Sequence, residues 1–581
     1  MMATRASILV LPFVVLCRSM FLLPACLLVA CGGERGGAPP QVIGAGGNAV
    51  DEPSLTAAPR VGPRDWPQWG GTPARNNAVP DAKVPTGWAF GQIDFKTNAW
   101  TGRGARHVKW VARLGSQTYG VPVVANRKVF IGTNNGAGHV ARHPKDQDRS
   151  VLLCLSETDG TLLWQHTNEK LDSPDNYDWE EVGICSAPLV DGQRLWYVTN
   201  RCQVVCLDTE GFHDGQNDGP VTTEPRDAVD EADVVWRFDM FGRLGVRPHN
   251  MSNCSPTAAG DYLFVNTSNG TDERDRVTAP GAPSFICLDR RTGRLIWSNA
   301  LPGPFIMHGQ WSSPAFGRVG DKDVTVFAGG DGHLYGFAPH GHKGLEAQPL
   351  WSFDCNPKDA VWRPHGAGTR NNIIATPVIN EGRVYVAVGQ DPEHGDGDGA
   401  VWCIEPAGDG DVSPTQAFAS TDASDPLPRR RTQAMNRTAG EVERPNPNSA
   451  VVWSYTGGDV NGDGSIDFEE QMHRATGTVA IHDGLLFIAD LSGVLHCLDA
   501  ASGEAHWTHD LMAPVWASPL ITAEWMYVCD TDGGVTVFAT SANKRPQGTV
   551  SVDEPIHSTP VVANNVLYIA TLQHLFAIAG P

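Results

Sequence analysis

The chain has 581 residues, with 44 Lys and Arg against 65 Asp and Glu, for a formal net charge of −21. That acidity argues against a nucleic-acid-binding surface, and 41% hydrophobic residues with 18 tryptophans exclude a disordered chain. The 63 glycines fall far short of a collagen repeat; beside so many tryptophans and only 19% charged residues they predict short strands joined by tight turns.

In chain order, Arg5 precedes an apolar run from Ile8 to Leu16, and a second run from Phe21 ends in Leu28-Val29-Ala30-Cys31. Small residues before a cysteine, after a short apolar stretch, resemble the lipobox of bacterial lipoproteins. That resemblance implies cleavage after residue 30 and lipid modification of Cys31. The run is too short for a membrane span, so a plain signal peptide is the alternative. Residues 31–64 are rich in Gly, Pro and Ala and predict a flexible tether. Residues 65–107 form a lead-in that carries Trp66-Pro67-Gln68-Trp69-Gly70-Gly71.

From 108 to 581 one pattern recurs eight times: a small residue and often Pro, then alternating apolar strands separated by turns, closing on a Gly-containing turn and usually Trp. The units are anchored at Pro122, Pro188, Thr257, Pro314, Pro377, Val479, Pro519 and Pro560. Six tryptophans close units: Trp164, Trp236, Trp297, Trp351, Trp453 and Trp507. Trp110 stands before the first unit, as expected if an N-terminal outer strand completes the last blade. The predicted fold is therefore all-β, a single eight-bladed β-propeller of four-stranded antiparallel blades. Insertions are expected near 136–150, 210–233 and 404–448. The last contains Arg429-Arg430-Arg431 and reads as a mobile, solvated surface loop.

Pro, a VYV-like strand, an Asp-Gly turn, a CLD-like strand, a TG turn and LW together resemble the PQQ-like (quinoprotein-type) β-propeller repeat, and the WPQWGG lead-in resembles exported planctomycete-type members. The resemblance implies three kinds of relative, one of them a large set of exported propellers without known activity. Quinoprotein dehydrogenases hold PQQ and Ca²⁺ over the channel; BamB-like outer-membrane assembly lipoproteins are scaffolds without cofactor. This chain lacks the adjacent cysteine pair of quinoprotein alcohol dehydrogenases and has no C-x-x-C-H haem motif.

Cys154, Cys206, Cys287, Cys403 and Cys497 occupy one repeat position and read as small buried apolar residues; Cys202 and Cys206 are close enough in sequence for a pairing to stay open. Residues 459–470 match the twelve-residue EF-hand loop. Asp459, Asn461, Asp463, Ser465 (through its carbonyl), Asp467 and Glu470 would supply hard oxygens to Ca²⁺; Gly464 permits the turn and Ile466 is expected to pack inward. A blade strand rather than a helix precedes the loop, which favours a structural ion.

Residues just ahead of each inner strand should ring the channel mouth. Three before the anchors stand Tyr119, Cys185, Cys254, Trp311, Ile374, Thr476, Trp516 and His557; slightly earlier come His249, His308, Gln310, Arg370, Asn371, His473 and Arg474. Two readings of this ring stay open. One is a ligand site, with Trp311 and Trp516 as stacking faces and the arginines and histidines as anion or metal partners; the other is a channel filled by its own side chains. His394, within Asp391-Pro392-Glu393-His394-Gly395, reads as part of a solvated polar turn. No nucleophile elbow, zincin or P-loop motif occurs. The expected role is an exported, lipid-anchored binding or scaffold module of the periplasm or cell envelope, taking a protein partner or small planar ligand. The alternative is a PQQ-dependent oxidoreductase.

Overall fold

The structure, a computed structural model, describes residues 60–171, 176–341, 345–366, 368–395 and 397–580. All lie in the compact unit Pro53–Pro581. The signal segment, Cys31 and most of the tether fall outside the described residues. Among those described, no helix is long and apolar enough to cross a membrane.

Eight antiparallel blades follow one another. The first consists of Val123–Ala125, Lys128–Asn134, Arg149–Ser156 and Leu162–Glu169, paired in that order. The eighth takes only three strands from the C-terminus. Its fourth is Val108–Arg113, antiparallel to His574–Ala579, so Trp110 faces Ala577. The third unit is one residue out of the predicted register: Pro256 is its anchor and its inner strand begins at Thr257.

The hydrophobic core is distributed, with each apolar cluster straddling two consecutive blades. The Trp110–Leu575 cluster joins the eighth blade to the first, and the Phe264–Phe337 cluster joins the third to the fourth. A four-stranded sheet has two apolar faces, and only a neighbour on each side buries both.

The repeat chemistry explains the composition. Each recurring cysteine lies directly across from the blade-closing tryptophan: Cys154 from Trp164, Cys206 from Trp236, Cys287 from Trp297, Cys403 from Trp453 and Cys497 from Trp507. Gly336 and Ala577 do the same for Trp351 and Trp110. A bulky indole needs a small cross-strand partner. The indole N–H then reaches the next blade, as Trp110 Nε1 donates to Glu157 O at 3.0 Å and Trp453 Nε1 to Ala500 O at 3.1 Å. The next blade's turn glycine lies against the ring. A Cβ on Gly160 would meet Trp110 at 2.5 Å and one on Gly503 would meet Trp453 at 2.6 Å, both at positive φ. All ten described cysteines are free thiols, Cys202 and Cys206 included.

Two sequence readings need correction. The 404–448 insertion is ordered: Gly410–Asp411 adds a fifth, parallel strand to the fourth blade, and Thr415–Phe418 pairs with Val442–Pro445. Its arginines are not simply solvated. Arg429 pairs with Asp331 and donates to Tyr335 Oη at 2.6 Å. Arg431 donates to Ile306 O at 2.7 Å and lies over Trp362 at 4.0 Å. Buried carbonyls and acids in the fourth blade create these anchor points, and local composition does not reveal them.

The lead-in also has a place that sequence did not predict. It runs through the centre of the ring and visits the innermost strands in order. Val124 donates to Trp66 O at 3.0 Å, Val190 to Pro67 O at 2.8 Å, Phe316 to Pro73 O at 2.8 Å, Ile379 to Ala74 O at 2.9 Å and Ile521 to Asn77 O at 3.0 Å. Ile481 donates to Asn76 Oδ1 at 2.9 Å. Each is the second residue of its inner strand, where an edge strand would otherwise present an unpaired N–H to the channel. Arg75 sits fully buried in this plug, donating to Pro314 O at 2.7 Å, Trp69 O at 2.8 Å and Ser255 O at 2.7 Å.

Candidate functional site

Because the lead-in closes the channel from within, the space above it is a cup rather than a pore. It has a volume of about 500 Å³. Its floor is Trp69, whose Nε1 donates to Thr376 Oγ1 at 3.0 Å. Its wall is built by repetition. The positions three before the eight anchors, with Pro256 as the third, are Tyr119, Cys185, Asn253, Trp311, Ile374, Thr476, Trp516 and His557; all eight line the cup. Asn253 replaces the predicted Cys254, which is buried behind the wall. Two residues further along, Ser255, Ser313, Thr376, Thr478, Ser518 and Thr559 form a lower ring. Extended backbone turns alternate side chains to one side, so both rings face inward. The hydroxyls of the lower ring also tie blades together: Thr376 N–H donates to Thr478 Oγ1 at 3.0 Å, Thr478 N–H to Ser518 Oγ at 2.8 Å and Ser518 N–H to Thr559 Oγ1 at 2.9 Å.

Cys254 aside, fourteen residues are predicted for the mouth, and seven of them, Tyr119, Cys185, Trp311, Ile374, Thr476, Trp516 and His557, line the cup. Tyr119 and Trp516 flank His557, with ring centroids 5.2 and 5.6 Å away. Burial pushes His557 down to about 4, so its ring is neutral near pH 7. The other seven lie behind the wall. Gln310 is fully buried and donates to Asn269 O and Ser284 Oγ. Asn371 is cross-bonded to Asn356 and donates to Asp398 O at 3.1 Å. Arg370 lies 3.7 Å from Asp354, which also holds Lys358 at 2.8 Å. His473 Nδ1 lies 2.8 Å from Asp490 Oδ2, and Arg474 pairs with the carbonyls of Gly395 and Asp391. The His249 and His308 rings lie with centroids 3.9 Å apart, their planes tilted by 53°, behind Trp311, whose Nε1 donates to His249 O at 3.1 Å.

The turn around residue 394 departs from its sequence reading. His394 and Asp391 are buried, and Arg474 fastens the turn down. His394 Nδ1 lies 2.9 Å from Asp391 Oδ1 and Nε2 lies 3.7 Å from Asp275. Burial would lower His394, but hydrogen bonds to Asp275 and Asp391 outweigh it and raise it to about 10. Burial would raise Asp391, but His308 and His394 hold it below the ordinary carboxylate range. Burial, then His308, pushes His249 down to about 4. The fold inserts this acid–imidazole cluster between Trp311 and the fifth blade; the local run of Asp, Glu and Gly carried no sign of burial.

The acidic loop lies outside the cup. Asp459 Oδ1 accepts from Gly462 N at 2.7 Å, Asp463 Oδ1 from Ser465 N at 2.9 Å, and Glu470 Oε1 from Val460 and Asn461 N–H. Gly464 adopts φ +91 as the turn requires. Ile466 is 54% exposed rather than packed inward, because no second helix or partner loop covers it. Phe468 instead lies 4.2 Å from the His473 ring.

A family model described as outer membrane protein assembly factor BamB matches residues 227–387 and 438–545. No curated protein matches. Among solved structures, a europium-containing methanol dehydrogenase is 10% identical with a TM-score of 0.50, over 89% of this chain and 98% of that one. BamB from Moraxella catarrhalis is 12% identical with a TM-score of 0.45, over 81% and 96%. The quinohemoprotein alcohol dehydrogenase of Comamonas testosteroni is 12% identical with a TM-score of 0.42, over 89% and 81%. The blades make the chain an eight-bladed β-propeller, and the matched segments are similar to the BamB-type repeat.

Proposed function

We propose that this protein is an exported, lipid-anchored propeller of the cell envelope that binds a ligand or a segment of a protein partner in the cup. The observation that carries the reading is the wall itself. One residue from every blade, at one repeat position, lines a single cavity sealed by the chain's own lead-in. A channel with no binding role needs no such cup, since packing alone would fill it. Trp69, Trp179, Trp311, Trp516 and Tyr119 offer flat apolar faces, and the hydroxyl ring offers hydrogen bonds. Asp391 and Glu393 supply the cup's carboxylates, and no Lys or Arg lines it among the described residues. The cup therefore suits a flat ligand that is neutral or cationic.

The donor set does not match PQQ. That quinone carries three carboxyl groups, which need cationic partners when desolvated. Arg370 lies buried behind the wall, with one guanidinium nitrogen 3.7 Å from Asp354 and its Nε and Nη1 unpaired, and Arg474 is tied to the 391–395 turn, so neither reaches the cup.

The matched model's description, an outer-membrane assembly factor, supports an envelope role, as does the lipobox-like Leu28-Val29-Ala30-Cys31. The 459–470 loop serves as a structural Ca²⁺ site on this reading. A thermal-shift screen of planar heteroaromatic compounds, saccharides and peptides, run against wild type and the Trp311→Ala/Trp516→Ala variant, tests the cup. The expected result is a ligand that stabilises wild type and not the variant. Equal stabilisation of both, or none across the screen, overturns the reading.

A further inference from the structure

Behind Trp311, the ligand atoms of His249, His308 and Glu393 come within 4.8 Å of one another. His249 and His308 lie in different blades, and Glu393 is on the turn after the second strand of the fifth, so no sequence spacing announces the group. His249 and Glu393 are each held by an outer hydrogen bond. His249 Nδ1 faces Thr271 O at 2.9 Å, which leaves Nε2 for another contact. Glu393 Oε1 accepts from Asn250 Nδ2 at 3.3 Å, while Oε2 lies 3.6 Å from His308 Nε2. His308 is only 3% exposed, yet its Nδ1 makes no hydrogen bond, although Asp391 Oδ2 lies 3.3 Å away. Two adjacent imidazoles beside a carboxylate, with His249 oriented by a carbonyl, Glu393 by an amide and Asp391 within reach of His308, is the arrangement that metal ligands use.

We infer that His249, His308 and Glu393 bind a divalent transition-metal ion of the zinc class, in the wall of the cup. Two neutral nitrogens and one carboxylate oxygen suit Zn²⁺, which takes such donors at about 2.0–2.2 Å. Tetrahedral donors at that range lie roughly 3.4 Å apart; His308 Nε2 and Glu393 Oε2 are already 3.6 Å apart, and the full set lies within 4.8 Å. His394 is taken up between Asp391 and Asp275, which leaves His249 and His308 as the nitrogen donors. Glu393 also lines the cup and its side chain is 50% exposed, so the ion's open position faces the cavity. The site does not depend on what the cup binds, and the metal is measured without any cup ligand.

The full-length protein, stripped with chelator and dialysed against Zn²⁺, should retain one ion per chain, and Co²⁺ should give the visible bands of a tetrahedral or five-coordinate centre. Glu393→Gln and His308→Gln, checked for folding by circular dichroism, should each weaken binding at least about tenfold and abolish those bands. Glu470→Gln should leave them intact. No retained ion, or unchanged affinity in Glu393→Gln, overturns the inference. If both variants misfold, X-ray absorption on the wild-type zinc protein decides. Two imidazoles with oxygen support the site; a sulfur-containing or wholly oxygen shell overturns it.

Discussion

The plug formed by the lead-in gives the sharpest test of how this ring is held together. Arg75 is fully buried, and its three hydrogen bonds end on backbone carbonyls rather than on a carboxylate. Replacing it with methionine keeps an unbranched apolar stem and removes every donor. Each orphaned buried carbonyl costs about 1–3 kcal/mol, so three set a gross loss of about 3–9 kcal/mol. Burying the guanidinium is itself costly, and burial pushes Arg75 down to about 9. Removing that charge returns a few kcal/mol. The net expectation for Arg75→Met is a loss of about 3 kcal/mol, read from the urea midpoint of tryptophan fluorescence, together with faster proteolysis in the lead-in. Arg75→Lys keeps the charge but loses the planar fork, and should recover only part of the loss. A shift below about 1 kcal/mol for Arg75→Met, with the lead-in still protected, would refute the claim that these carbonyls depend on it.

Further outcomes follow from the repeat, the buried charges and the proposed ligands. Gly503→Ala places a Cβ 2.6 Å from the Trp453 ring at positive φ, so it should destabilise by about 2–4 kcal/mol, seen in thermal denaturation. Burial would raise Asp490, but hydrogen bonds from His473 and His496 lower it from 3.8 to about 2. Its stabilising share is thus present above about pH 4 and lost as the pH falls towards 2. Asp490→Asn should cost about 2 kcal/mol near neutrality, and the gap to wild type should narrow across that acid range in urea titrations. Glu470→Gln should weaken Tb³⁺ or Ca²⁺ binding at the 459–470 loop about tenfold or more, by luminescence titration; unchanged affinity would count against the loop as a cation site. Cys31→Ser should move the protein from the membrane fraction to the soluble envelope fraction.

The fold was legible because its causes are local and repeated. Alternating apolar strands, a turn glycine and a closing tryptophan recur in each unit, and the cross-strand pairing of Cys497 with Trp507 repeats that of Cys154 with Trp164. The upper ring of the cup was legible for the same reason. A residue's distance from its anchor fixes which way it points, and a one-residue error at Thr257 sufficed to put Cys254 where Asn253 belongs. Residues further from the anchors were not legible. Arg370 and His473 sit in loops of unequal length, where spacing no longer fixes direction. Asp354 and Asp490, separated from them in sequence, draw them behind the wall.

By itself, the sequence determined eight blades, their order, the strand that completes the last one, and the repeat position that faces the channel. Each of these rests on period-2 alternation and on steric fit between neighbours in sequence or across one turn. Only the tertiary structure decided that the lead-in plugs the channel, that Arg429 and Arg431 pin the long insertion, and that His249, His308 and Glu393 meet. Those contacts join segments far apart in the chain, and each partner taken alone reads as an ordinary polar residue in a loop. Once the ring closes, the unpaired strand edges and buried carbonyls that it creates select which of them it holds.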